Sequence, residues 1–192
     1  MVDNATQQKS LGINKPIVMI GLMGAGKSRI GKDLATKLGL PFVDVDDEIV
    51  KAAGCSVSDI FELYGEKAFR DVEERVMSRL LNSKMQVIAT GGGAFMNANI
   101  RKAISRYGIS IWLKAELNVL VERTSKRRGR PLLENGDPAT TLKRLIDERY
   151  PLYGEADIVV DAQDVSIDAT VNATADALAA YFDKQPEIEY DE

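Results

Sequence analysis

Histidine is absent from this chain, and cysteine and tryptophan occur once each in 192 residues. Without imidazole there is no histidine catalysis and no zinc site of the usual kind, so Asp, Glu, Lys and Arg must carry any chemistry. The lone Cys55 cannot form an internal disulfide, which fits a reducing compartment, and an unreactive, partly buried thiol is expected there. No apolar run approaches the roughly 18 residues of a membrane span, and the polar start, Met1 to Lys9, is unlike a signal peptide. A cytoplasmic location is therefore expected. A net charge of −4 leaves no surplus of positive charge for a polyanion, so neither nucleic acid nor membrane is expected as a partner. Aromatic residues are sparse at 6%, yet 45% hydrophobic and 28% charged residues are ordinary for a globular chain of one domain.

Residues 21–28, Gly-Leu-Met-Gly-Ala-Gly-Lys-Ser, match the phosphate-binding pattern G-x-x-x-x-G-K-[ST] in full. Ahead of them Ile17-Val18-Met19-Ile20 reads as a buried strand. After them Arg29 to Leu38 reads as a helix, with Ile30, Leu34 and Leu38 four apart and Gly39 as its stop. The glycines let successive backbone N–H groups face one anion, and the helix N-terminus adds its positive end. Lys27 is expected to reach the β- and γ-phosphates of a nucleotide, and the Ser28 hydroxyl to ligate Mg²⁺. The alternatives are a chance glycine-rich turn, or a loop that holds nucleotide without chemistry.

Strands and helices alternate along the rest of the chain. Candidate strands are 17–20, 42–45, 87–89, 110–113 and 158–160, all short and apolar, as in a parallel sheet covered on both faces. Candidate helices are 27–38, 58–82 (broken at Gly65), 97–107, 116–127, 138–149 and 167–182, with a further one over Glu48–Ala53. Asp137 before Pro138 marks a helix start; Gly108 follows one helix end, and Pro151 is read as stopping another. This alternation, with a phosphate loop after the first strand, implies a doubly wound α/β sheet. Residues 1–14 and the acidic tail 185–192 are expected to be disordered.

Several other positions suit chemistry. Asp44 and Asp46 stand at the C-terminal end of the second strand, where such sheets bind ligands, and strand alternation would put them on one face. One could hold a metal-bound water and the other accept a hydroxyl proton; helix capping by Asp46 and its acidic neighbours is the bland alternative. Phe69, Val72, Val76 and Leu80 form an apolar stripe, with Arg70 and Glu73 together off it. That pair is either a solvated surface pair or an arginine held by Glu73 and aimed at an anionic substrate. Thr90-Gly91-Gly92-Gly93 suggests close backbone approach to a ligand, or else a plain turn. Residues 126–136, basic and punctuated by glycine and proline, suit a lid closing over phosphates, or an exposed loop without a role. Arg149 is read as ending a helix, where a cation is also favourable.

Together GLMGAGKS, FVDVDDEI, SVSDIFELYGEKAFRDVEE, the strand into TGGGAF, RGRPLL and ERYPLY resemble the shikimate kinase family in order and separation, over roughly residues 16 to 165. The resemblance implies a fold of the nucleoside monophosphate kinase type: a three-layer α/β P-loop kinase with a five-stranded parallel sheet, helices on both faces, a substrate-binding helical segment and a lid. It implies that Gly24, Ala25, Gly26, Lys27 and Ser28 cradle ATP, with Ser28 on Mg²⁺ and Asp44 supporting the metal through water. Asp46 would bind the shikimate hydroxyls and orient or deprotonate the 3-hydroxyl. Arg70 and Arg149 would clamp the carboxylate, Glu73 would position Arg70, and Gly92, flanked by Gly91 and Gly93, would bond substrate through its N–H. Arg130 would approach the transferring phosphate from the lid, and Arg123 would stack on adenine. Arg29 stands where the family often has Thr, which alters contacts to the nucleotide phosphates, and Val45 stands where a small hydroxyl residue is common.

The expected activity is phosphorylation of shikimate at its 3-hydroxyl by ATP with Mg²⁺, in aromatic amino-acid synthesis. The domain would span 15–184, with a substrate-binding segment near 46–82 and a lid near 126–136, and a monomer is expected. A kinase for another small hydroxy acid such as gluconate, and a nucleotide-dependent switch, remain as alternatives.

Overall fold

The computed structural model describes residues 14–125, 137–162 and 165–184. Five strands form one sheet: β1 (Ile17–Ile20), β2 (Phe42–Asp44), β3 (Val87–Ala89), β4 (Ile109–Lys114) and β5 (Ile158–Asp161). Their order is β2-β3-β1-β4-β5 and every pairing is parallel. Consecutive residues of β1 and β3, and Ile109 to Leu113 of β4, are all buried. Since side chains alternate between faces, both faces of the central sheet are covered. At the β5 edge alternation returns, with Ile158 and Val160 buried and Val159 and Asp161 exposed.

The helices are α1 (Lys27–Leu38), α2 (Val45–Ala53), α3 (Val57–Leu81), α4 (Ala98–Tyr107), α5 (Leu117–Ser125), α6 (Pro138–Tyr153) and, after the last strand, α7 (Ile167–Asp183). Ile30, Leu34 and Leu38 are the buried stripe of α1, and Gly39 ends it with φ 66°. Ser56 and Asp59 close a reciprocal capping box at the start of α3, and Asp137 caps α6 ahead of Pro138. Gly65 breaks α3 internally at φ 78°, ψ 173°, as its sequence suggests. These elements are the P-loop kinase architecture, a five-stranded parallel sheet with helices around it. The extension before Asn14, the lid 126–136 and the tail 185–192 lie outside the described residues.

Two local expectations fail. The second strand stops at Asp44, and Val45 opens α2, because the Asp44 carboxylate accepts the Asp46 N–H at 3.0 Å and caps the helix. The period changes from 2 to 3.6 between the two aspartates, so strand alternation does not relate them. Pro151 does not stop α6 either; the helix continues to Tyr153. A proline so near the C-terminus forfeits one helical hydrogen bond. The hydroxyls of Tyr150 and Tyr153 anchor this last turn, donating to the Ala115 and Gly92 carbonyls.

The β4–β5 edge is locked by one carboxylate. Asp157 Oδ2 accepts from the Ser110 N–H at 2.8 Å and from its hydroxyl at 2.6 Å, while the Asp157 N–H donates back to Ser110 Oγ at 3.0 Å. Asp157→Ala is expected to lower the unfolding free energy by about 2 kcal/mol, the scale of hydrogen bonds to a charged group, with an unchanged urea m-value. An unaltered midpoint would mean that the lock contributes nothing.

Candidate active site

The phosphate loop lies between β1 and α1. Gly24 and Gly26 take φ of 87° and 99°, a region that side chains avoid. A Cβ on Gly24 would also lie 3.0 Å from Thr124 Cγ2 of α5, so that helix abuts the loop. Lys27 is 9% exposed, and its ammonium donates to the Leu22 carbonyl at 3.0 Å, across the loop it would serve. The Ala25 N–H donates to the Leu22 carbonyl at 3.2 Å, closing the loop on itself. No acidic residue of α1 itself stands in its first turn, where the helix end favours an anion.

Ser28 Oγ donates to Asp44 Oδ2 at 2.6 Å, which joins α1 to the end of β2. Two hard oxygen donors beside a phosphate cradle suit Mg²⁺, which keeps most of its waters and needs few protein ligands. Among the described residues no larger cluster of acidic or thiol ligands exists. Arg29, by contrast, lies along its own helix with Nε 2.8 Å from Asp33, its side chain 64% exposed. The structure thus gives the position that departs from the family pattern a partner within α1.

The glycine run after β3 is where the other site residues meet. A Cβ on Gly91 would sit 3.3 Å from both Asp46 Oδ1 and Glu73 Oε1. On Gly92 it would lie 3.4 Å from Arg149 Nη1 and 3.5 Å from Gly21 O and Met23 N of the phosphate loop. On Gly93 it would strike Arg70 at 2.6 Å from Nη2. None of these glycines has positive φ. Side chains approach them closely instead, most tightly Arg70 at Gly93, and the approaching groups are Asp46, Glu73, Arg149 and Arg70. Arg149 Nη1 donates to the Gly92 carbonyl at 2.8 Å, and Tyr153 donates to the same oxygen. Burial pushes the Tyr153 phenol up to about 12, so it remains a donor throughout the neutral range.

Arg70 and Glu73 are no surface pair. Glu73 is fully buried, with Oε2 2.7 Å from Arg70 Nη1, while Glu66 approaches the same guanidinium at 3.2 Å. Glu73 is also not off the apolar stripe: it stands at i+4 from Phe69, and Val76 and Leu80 follow at i+7 and i+11, all buried. A carboxylate at core spacing was the available sign of its burial. Its Oε1 has no hydrogen-bond partner, and burial holds its carboxyl above the usual range against the pull of Arg70. Asp46 opens to the crevice; the protein walls around it and the charge of Asp44 raise its carboxyl, while Lys27 and Arg70 oppose the shift.

Asp44, Asp46, Arg70, Glu73, Arg149 and the three glycines thus form one crevice wall against the phosphate loop. Arg149 lies within α6 rather than at its end. Arg130 falls outside the described residues. Sequence reasoning missed Tyr153, although its spacing from Tyr150 and Arg149 puts the three on neighbouring turns.

A phosphate cradle facing paired carboxylates and two arginines defines a P-loop kinase for a small anionic acceptor. The family model for shikimate kinase matches residues 23–179. This chain belongs to the shikimate kinase family, whose reaction phosphorylates shikimate. It is 50% identical over 173 residues to the shikimate kinase of Rhodopseudomonas palustris, covering 90% of this chain and 85% of that one. It is similar in structure to the shikimate kinase of Acinetobacter baumannii in complex with shikimate, with TM-score 0.86 and 32% identity over 93% of this chain and 99% of that one. A gluconokinase from Sinorhizobium meliloti shares the fold alone, with TM-score 0.58 and 20% identity over 89% of this chain and 98% of that one.

The raised Glu73 carboxyl binds its proton more tightly in the folded chain than at its ordinary value of 4.5. Its contribution to stability is therefore complete below that value and lost as pH rises through the folded one. Glu73→Gln has no such proton to lose. In urea titrations across this range its stability relative to wild type is expected to rise with pH and then level off. A difference moving the other way would show that Arg70 outweighs burial.

Proposed function

We propose that the crevice transfers the γ-phosphate of ATP to the 3-hydroxyl of shikimate, giving shikimate 3-phosphate and ADP. The observation carrying this reading is the meeting of Asp46, Glu73, Arg70 and Arg149 on a glycine run that touches the phosphate loop. Phosphoryl transfer asks a protein mainly for positioning and charge stabilisation, which a site without histidine can supply.

In this reading Gly24 to Ser28 and the α1 N-terminus hold the nucleotide phosphates, and Lys27 exchanges the Leu22 carbonyl for the β- and γ-phosphates. Ser28 and the Asp44 carboxylate, directly or through water, hold Mg²⁺, which supplies charge neutralisation on the transferring group when bound. Arg70 and Arg149 grip the shikimate carboxylate, with Arg70 fixed by Glu73. Asp46 accepts the proton of the 3-hydroxyl as that oxygen bonds to the γ-phosphorus and the bond to the bridging oxygen of ADP breaks. A carboxyl held above its usual range is a better base for this step. Arg123 on adenine, Arg130 on the transferring phosphate and residues 126–136 as the lid rest on the sequence and its family pattern. So do a single domain over 15–184, a monomeric state and a cytoplasmic location; no helix among the described residues is long and apolar enough to cross a membrane.

A coupled ADP-release assay with Mg²⁺ and ATP tests this. Shikimate is expected to drive turnover while gluconate stays near background. Asp46→Asn is expected to lower turnover by about a hundredfold or more while ATP binding persists. Preference for gluconate would refute the acceptor, and undiminished turnover would remove Asp46 from its role.

A further inference from the structure

Beyond Gly93 the chain passes through one 3₁₀ turn, Ala94–Met96, into α4. This turn is gripped from two helices. On the α3 side both oxygens of Glu74 are engaged: Asn97 Nδ2 donates to one at 2.7 Å and Asn99 Nδ2 to the other at 2.9 Å. On the α6 side Arg101 reaches back along α4. Its Nη1 donates to the Phe95 and Met96 carbonyls at 2.8 and 3.0 Å, and its Nε lies 3.3 Å from Glu155, just past the end of α6. The Glu155 N–H donates to the Leu152 carbonyl at 3.1 Å, so that carboxylate moves with α6.

We infer that Arg101 is a positioning residue for the acceptor carboxylate, holding the turn after Gly93 at a fixed place between the helix that carries Arg70 and the helix that carries Arg149. This rests on the reading of those two arginines as the carboxylate clamp. They lie on separate helices and both lie against the glycine run, Arg70 packed on Gly93 and Arg149 bonded to the Gly92 carbonyl. A two-arginine grip works only at the span of one carboxylate, and that span is set by where the glycine run sits between α3 and α6. Arg101 also lies over the Phe95 ring, 6.0 Å from its centroid, and Phe95 packs 6.2 Å from the ring of Tyr153, the other donor to Gly92. Two routes therefore lead from Arg101 to the same carbonyl, the one that Arg149 and Tyr153 share.

Because the clamp grips carboxylate equally in the ground and transition states, loosening it raises KM and spares kcat. In steady-state assays on the full chain, Arg101→Met is expected to raise the KM for shikimate about tenfold. The KM for ATP and kcat stay within about twofold. Glu155→Gln should shift the shikimate KM about two- to threefold in the same direction, the scale of one exposed ion pair. Arg101→Lys should recover part of the loss. With the methyl ester of shikimate, which offers no carboxylate, wild type and Arg101→Met should converge. An unchanged shikimate KM, a parallel rise for ATP, or an equal loss on the ester would overturn the inference. Should Arg101→Met fail to fold, Glu155→Gln and Arg101→Lys carry the test, and wild-type behaviour in both would overturn it. A wild type that ignores shikimate removes the functional reading and this inference together; one that responds while its variants match it removes the inference alone.

Discussion

Charged side chains crowd onto the bare backbone of Gly91, Gly92 and Gly93, and the acceptor half of the site depends on that approach. Arg70 fills the space a Cβ on Gly93 would need, and Asp46 with Glu73 borders the same space at Gly91. In this packing two cations and two carboxylates can stand together on a wall that also touches the phosphate loop. A larger residue at Gly93 would displace the Arg70 guanidinium, while Arg149 bonds the Gly92 carbonyl. The cost of ordering three glycines is met by the ion pair and hydrogen bonds that converge on them.

The fold delivers these groups from separate elements. β1 and α1 supply the phosphate loop, β2 ends in Asp44, α2 carries Asp46 in its first turn, and α3 and α6 bring the arginines. Parallel strands direct all of their C-terminal ends to one edge, so residues far apart in sequence meet there. Asp44 joins two parts of the wall, since its oxygens accept from the Ser28 hydroxyl of α1 and from the Asp46 backbone of α2. A displacement of α1 is therefore felt at Asp46 without any ligand between them. The buried Glu73 is unsatisfied at Oε1, and a functional site is where such a cost is expected to persist.

Much of this was legible in the sequence, for identifiable reasons. The phosphate loop is contiguous and flanked by strand and helix periodicities, so local patterns suffice. Arg70, Arg149 and the glycine run were legible as candidates, but not that both arginines lie against the glycines, because contacts between distant segments leave no periodic trace. The two aspartates were misjudged because a capping side chain changed the period within three residues. Pro151 was misjudged because tertiary anchors from Tyr150 and Tyr153 outweigh one lost helical bond. Glu73 did carry a signal, a carboxylate at the spacing of a buried face, which a purely apolar count of the stripe overlooks. The brace through Glu74, Asn97 and Arg101 had none, since it exists only once α3, α4 and α6 are assembled.

Gly93 has φ −98° and ψ −15°, a conformation any residue adopts. Gly93→Ala therefore tests the close approach without backbone strain, and the atoms nearest to its Cβ all belong to the Arg70 guanidinium. Isothermal titration of this variant is the most direct measurement of the central claim. Affinity for ATP with Mg²⁺ should hold within about twofold while affinity for shikimate falls about tenfold or more, the scale of a displaced charge-assisted hydrogen bond. Shikimate bound as tightly as by wild type would contradict the account.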